Sequence, residues 1–250
     1  MISCGRVCAG VVTTARDVNE TLGAWCQYHL SVGFDFLFIY LDAPNEDATA
    51  CVAARMGDKR VRVIECHTAE RKTLLSRLPM EALRLEPHCQ DEVMARQLID
   101  AWHAMSVLAP EYGLDWLIHI DSDELFDPGA GTPAGVLFWR MSVAGARCST
   151  FQNWEAVPEV DGSSNPFATH TLFKKPIASL PKDASTTFWE QRHGSTYQSY
   201  FLFYDNGKAA CRVEPGHACR AVVIWVMDHS QSCATRCETS LCTRVAARRC

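Results

Sequence analysis

The stretch from Phe34 to Leu41 constrains this chain most. It is apolar at every position but Asp35, and it ends abruptly on Asp42 with Pro44 and Asn45 just beyond. A run that short, closed by turn residues, reads as a strand buried on both faces, and such strands belong to parallel sheets covered by helices. Residues 7–14 (Val-Cys-Ala-Gly-Val-Val-Thr-Thr) and Arg60 to Glu65 have the same short, β-branched character. Asp115 to Ile120 (Asp-Trp-Leu-Ile-His-Ile) reads as a further strand, running straight into Asp121-Ser-Asp-Glu.

Helical patterns lie between these strands. Asn19 is placed to cap the first helix, Leu22, Trp25, Cys26 and His29 fall on one face, and Gly33 stops it. Asp91 and Glu92 open a second helix, where acids suit the dipole. Its expected inner stripe is Val93, Gln97, Ala101, Met105 and Leu108, and Pro110 ends it. Residues 66–90 are polar and mixed, and no element is assigned to them. The first half thus has the strand–helix rhythm of an α/β fold, a mostly parallel central sheet with helices on both faces. The second half is irregular, with short strands expected near 149–157, 169–175, 199–204 and 209–213, and it holds no internal repeat.

Composition narrows the function classes. The chain has 250 residues, a length one core can still organise, so a single α/β domain is expected. Asp and Glu number 29 against 24 Lys and Arg, which disfavours nucleic acid as a partner because phosphate neutralisation needs clustered cations. No apolar run approaches the roughly 18 residues of a membrane span, and the first residues lack the order of a signal peptide. Thirteen cysteines is a high count, yet no Cys-x-x-Cys pair occurs, and six of them follow residue 210. Buried or incidental thiols are the expected reading, ahead of disulfides and well ahead of a metal cluster.

The acidic turn carries the chemistry. Ligands of open α/β sheets bind outside the carboxyl ends of strands, where Asp121, Ser122, Asp123 and Glu124 stand. Residues two apart in an extended turn can point the same way, so Asp121 and Asp123 can present two carboxylates to one point. Two such charges about 4 Å apart repel by roughly 4 kcal/mol at an effective dielectric of 20. A hard divalent cation, Mn2+ or Mg2+, relieves that repulsion and can then bind a diphosphate. A solvated acidic turn is the plainer alternative.

The segment Asp115-Trp-Leu-Ile-His-Ile-Asp-Ser-Asp-Glu-Leu-Phe resembles the Asp-x-Asp region of GT-A glycosyltransferases. Ala24-Trp-Cys-Gln-Tyr-His-Leu30, Val32-Gly-Phe-Asp35 and Phe38-Ile-Tyr-Leu-Asp42 resemble the opening of glycosyltransferase family 92 and its family-2-like relatives. Ala95-Arg-Gln97, Phe151-Gln-Asn-Trp-Glu155, Thr171-Leu-Phe-Lys174 and Tyr204-Asp-Asn-Gly-Lys208 follow in that family's order, over roughly residues 7–213. The resemblance implies a GT-A, Rossmann-like fold over residues 1–215, with 216–250 a divergent Cys- and Arg-rich segment. It implies a hexosyltransferase that moves a sugar from a nucleotide-sugar, a UDP-sugar, to a glycan or glycoconjugate hydroxyl, with inversion.

Carried over by position, Asp121 and Asp123 hold the metal, and Asp121 also meets the donor. Asp42 sits near the nucleoside, Arg16 reaches the nucleotide, and Arg96 and Gln97 face the donor from their helix. Inverting transfer needs a carboxylate to take the acceptor's proton. Glu155 is the candidate base, with Glu124 or Asp161 in reserve. Lys208 can touch phosphate, although an Asn-Gly-Lys hairpin turn accounts for it adequately. Trp25 and His29 read as core. The family's Gly-Val-His-type segment corresponds here to Arg220–Trp225, which puts Val223 where a ligating His is expected; His217 and His229 fall off that position.

A catalytically degenerate GT-A domain that binds glycan or protein is the competing reading. A glycoside hydrolase ranks below both, since Asp121 and Asp123 are too near in sequence to flank a sugar. The resemblance further implies a Golgi or secretory-pathway membrane setting. No anchor is visible, and the resemblance starts within the first ten residues, so truncation is expected.

Overall fold

The computed structural model describes residues 5–16, 21–42, 57–78, 80–157, 159, 165–174, 207–214 and 244–247. The expected features at Asn19, Pro44, Asn45, Asp161, 199–204, His217, Val223 and His229 lie outside these residues.

Four parallel strands form the organising half of the sheet: β1 (Ala9–Ala15), β2 (Phe36–Asp42), β3 (Val61–Cys66) and β4 (Trp116–His119), in the order β3-β2-β1-β4. The other half is mixed. β8 (Lys208–Arg212) runs antiparallel to β4, and β6 (Cys148–Ala156) runs antiparallel to β8. β9 (Arg244–Ala247), the described part of the C-terminal segment, joins β6 to β5 (Glu124–Phe126), and the two-residue β7 (Phe173–Lys174) pairs with β6.

Helices cover both faces, as a doubly buried strand demands. On one face Val11, Leu37, Ile39 and Ile118 pack with Leu22 and Trp25 of α1 (Thr21–Ser31). Leu137 and Phe138 of a helix at Ala134–Val143, which the sequence reading does not include, complete that layer. On the other, Val12, Phe38, Tyr40 and Leu117 meet Leu74 and Leu75 of α2 (Thr68–Leu75) and Leu98, Ile99 and Trp102 of α3 (Val93–His103). The helix at Ala134–Val143 is α4. The fold class is therefore α/β and Rossmann-like, as expected.

The expected face of α1 is the buried one: Leu22, Trp25, Cys26 and His29. Its end is fixed by two bonds, from the N–H of Phe34 to the carbonyl of His29 and from Gly33 to Leu30, with Gly33 at φ 95°. That is a Schellman closure, and it requires the left-handed glycine. The expected stripe of α3 needs correcting. Ala101, Met105 and Leu108 are buried as expected, but Val93 is 41% exposed and Gln97 half-buried, while Ala95, Leu98, Ile99 and Trp102 are buried as well. The helix packs on β1, on α2 and on a 3-10 segment at Met80–His88. Contact on several sides displaces the buried surface from a stripe counted in fours from Val93. Among the described cysteines, Cys26 and Cys66 are buried thiols, and burial pushes Cys26 up to about 12.

His29 gives the fold a pH dependence. It is fully buried; its Nδ1 lies 2.8 Å from the Trp25 carbonyl, and its Nε2 accepts the N–H of Phe126 at 3.2 Å. The ring is thus neutral, with its proton on Nδ1. Burial lowers it from 6.5 to about 3. The unfolded chain takes up a proton near the ordinary value while the fold does not, so stability falls as pH drops below that value. The stability advantage of wild type over His29→Gln is expected to shrink by about 2 kcal/mol between pH 7 and pH 5. Urea melts at the two pH values check this; an advantage that stays constant contradicts it.

Candidate functional site

Parallel strands deliver their carboxyl ends to one edge. Arg16 follows β1, Asp42 ends β2, His67 follows β3 and Asp121 follows β4. A cleft of about 510 Å³ opens there, lined by Arg16, Asp42, His67, Arg71, Gln90 and Arg96 among others. Lys72 and Glu86 also reach it, so cations outnumber acids in its walls. Such a cleft suits an anion.

Asp42 anchors the cleft. Arg96 grips it with Nε at 2.9 and 3.1 Å and a terminal nitrogen at 2.9 Å, and Arg71 adds a bond at 2.8 Å. Burial works against the Asp42 charge, yet the two guanidiniums outweigh it and hold the carboxyl below its ordinary value. Arg71 also donates to Asp100 at 3.0 Å, and the hydroxyl of Thr14 donates to the same carboxylate at 2.9 Å. Burial pushes Asp100 up to about 6, with Arg71 limiting the rise. Strands β1 and β2 and helices α2 and α3 are thereby tied by one buried ionic network.

The acidic turn stands next to the cleft. Asp121, Asp123 and Glu124 each offer a carboxylate oxygen, and these oxygens lie within 4.8 Å of one another. Three hard oxygen donors that close fit Mn2+ or Mg2+ by chemistry. The turn closes on itself: the Glu124 N–H donates to the Asp121 carbonyl at 3.0 Å, and the Asp121 N–H donates to Glu124 Oε2 at 3.3 Å. Glu124 is fully buried, and Asn153 Nδ2 donates to its Oε1 at 3.3 Å. Burial pushes Glu124 up to about 8 against the pull of Lys208, with Asp121 and Asp123 adding to the rise. Helix α1 steadies the strand behind the turn, since Trp25 Nε1 donates to the Glu124 carbonyl at 2.7 Å and the Tyr28 hydroxyl to that of Phe126 at 3.0 Å. Trp25 and His29 are core residues, as expected, that also hold β5 in place.

The consecutive residues Arg96 and Gln97 join the two places. Arg96 faces Asp42 in the cleft, while Gln97 Nε2 donates to Asp121 at 3.3 Å. Arg16, Asp42 and Arg96 therefore meet at the cleft, and Gln97, Asp121 and Asp123 meet at or beside the turn. Glu155 lies on β6, on the buried face that carries Phe151 and Asn153, opposite Lys174 of β7. Sequence reasoning missed Arg71, and it gave Lys208 only as a residue that can touch phosphate, not as a partner of the acidic turn. Arg71 sits on α2, where no element was assigned. Lys208 is 8% exposed and puts its Nζ 2.6 Å from Asp121 and 3.0 Å from Glu124, which a hairpin turn does not explain. The Asn-Gly-Lys triplet was its only signal.

No family model matches the chain. Two plant proteins are similar to most of it. Glycosyltransferase-like At2g41451 of Arabidopsis thaliana is 28% identical over 217 residues, 84% of this chain and 46% of the relative. Glycosyltransferase-like At3g57200 of the same plant is 26% identical over 215 residues, 84% of this chain and 41% of the relative. Both relatives are named glycosyltransferase-like. The chain spans less than half the length of either.

Solved structures give looser likenesses. Glucosyl-3-phosphoglycerate synthase from Mycobacterium tuberculosis, in complex with Mn2+, UDP and phosphoglyceric acid, is 13% identical with a TM-score of 0.37, covering 82% of this chain and 56% of that one. Core-mannan synthase A from Aspergillus fumigatus, in an Mn/GDP form, is 12% identical with a TM-score of 0.36, covering 83% and 60%. The mannosyltransferase Ktr4p from S. cerevisiae is 11% identical with a TM-score of 0.36, covering 62% and 41%.

Proposed function

We propose that this chain is a GT-A glycosyltransferase domain that moves a sugar from a nucleotide-sugar, a UDP-sugar, to a glycan hydroxyl with inversion. One observation carries the reading: a cation-lined cleft and a three-carboxylate turn share the carboxyl edge of the same parallel strands, bridged by Arg96 and Gln97. The relatives named glycosyltransferase-like support it.

Arg16, Asp42 and Arg96 line the nucleotide's cleft in this reading, and Gln97 orients Asp121. Asp121 and Asp123 hold Mn2+ or Mg2+, which when bound offsets charge on the departing diphosphate. The acceptor oxygen attacks the anomeric carbon, the bond from that carbon to the diphosphate oxygen breaks, and the hydroxyl proton passes to a carboxylate. Glu155 is that base in our assignment, and it stands opposite Lys174 where β6 pairs with β7. Burial lowers the Lys174 ammonium below its ordinary range while Glu155 opposes the shift. Glu155→Gln is expected to lower transfer to an acceptor about 100-fold or more, within the range of general-base catalysis, and to leave donor binding intact. Initial rates together with UDP binding check this; unchanged transfer removes Glu155 from the mechanism.

The whole reading is tested by donor hydrolysis over a panel of UDP-sugars with and without Mn2+. Turnover of one donor, stimulated by the metal, is expected. The Lys208 ion pairs favour one competitor, a degenerate domain that binds without turnover, and nucleotide binding with no hydrolysis or transfer for any donor would select it. Among the described residues no helix is long and apolar enough to cross a membrane. We assign the protein to the Golgi or another secretory-pathway compartment, which imaging of the tagged full-length protein tests.

A further inference from the structure

We propose that Lys208 is a built-in counter-cation of the acidic turn, which a divalent ion has to displace, so that this one side chain sets the metal affinity of the site. The proposal rests on the metal-holding role given above to Asp121 and Asp123. Its ground is geometric. The Nζ of Lys208 lies 2.6 Å from Asp121 and 3.0 Å from Glu124, two of the three residues whose oxygens converge. An ammonium that close to two prospective ligands uses their lone pairs and repels an incoming dication.

The fold holds Lys208 there. β8 runs antiparallel to β4, with Ala210 opposite Ile118, so the start of β8 meets the end of β4 where Asp121 follows. Lys208 is itself paired with Phe151 of β6. Gly207 precedes it at φ 56°, and a Cβ there would lie 2.4 Å from the Phe151 carbonyl oxygen. Only glycine allows that approach. The side chain is then 8% exposed, so its charge is poorly screened by solvent.

The consequence is a site that resists a metal alone and takes one readily only when the ammonium has another anion to bind. A diphosphate arriving with the metal is such an anion.

The test uses Mn2+ alone, without nucleotide, titrated into the whole chain and followed by electron paramagnetic resonance of the free ion. Lys208→Met is expected to bind Mn2+ at least tenfold more tightly than wild type, and Lys208→Arg within about threefold of wild type. Equal or weaker binding by Lys208→Met, with wild type binding measurably, overturns the inference and leaves the metal-holding role standing. No Mn2+ binding by either protein overturns both. Circular dichroism establishes that the variants fold. Should Lys208→Met not fold, nitrogen-15 NMR of lysine-labelled wild type decides. The ammonium signal absent from Lys208→Arg is expected to shift on saturation with Mg2+, and a signal that stays put overturns the proposal.

Discussion

Asp121→Asn and Asp123→Ala are each expected to weaken Mn2+ binding by about 100-fold or more and to abolish metal-stimulated donor hydrolysis. Each removes one full charge from a set of three carboxylates whose oxygens lie within 4.8 Å. Attraction between unit charges near 4 Å amounts to about 4 kcal/mol at an effective dielectric of 20, and a divalent ion doubles it before its own dehydration is counted. About a third of that sum already reaches the roughly 2.7 kcal/mol that a hundredfold represents. Asp121 carries a second duty, because it receives Gln97 and Lys208. Its loss therefore also loosens the bridge between turn and cleft, and Asp121→Asn is expected to weaken UDP binding, read by calorimetry, more than Asp123→Ala does. Mn2+ titration and UDP release measure the other two effects. Wild-type hydrolysis by either variant contradicts the assignment.

Arg71→Met is expected to cost about 3–5 kcal/mol of stability at neutral pH, the usual penalty for leaving a buried charge without its partner. Arg71 is 5% exposed and lies between Asp42 and Asp100, which are 3% and 0% exposed. Asp42 retains Arg96, but Asp100 keeps only neutral partners, the hydroxyl of Thr14 and the thiol of Cys66. Its carboxyl, already raised by burial, rises further without the guanidinium. The fold then prefers a protonated Asp100 that the unfolded chain does not hold at neutral pH, so the variant's deficit shrinks as pH falls toward 5. Chemical denaturation at pH 7.5 and pH 5 checks both magnitude and sign. A deficit that grows at the lower pH contradicts the assignment of Asp100 as the stranded charge.

The parallel half of the fold was legible because its signals are local. An apolar run closed by turn residues gave β2, the i, i+3, i+4, i+7 spacing gave the buried face of α1, and Asp42 and Asp121 stood visibly at strand ends. Arg71 was not legible. Helix α2 is eight residues long and mostly polar, and it buries an arginine against acids from β2 and α3, so no apolar period marks it. The ion pairs of Lys208 were hidden for a different reason. Its Asn-Gly-Lys triplet is a local signal, whereas its two acidic partners lie 87 and 84 positions earlier in the chain. Only the antiparallel placement of β8 beside β4 brings them together. The stripe expected for α3 was right at Ala101, Met105 and Leu108 but incomplete, because a helix packed on several sides buries more than one face, which a single stripe cannot represent.

The central claim is that the acidic turn and the cation-lined cleft form one donor site. Anomalous scattering from a crystal grown with Mn2+ and UDP tests it most directly. The expected map has one manganese peak against Asp121 and Asp123, with the uridine in the cleft beside Arg16, Asp42 and Arg96. Manganese bound elsewhere, or UDP seated away from that edge of the sheet, contradicts the claim.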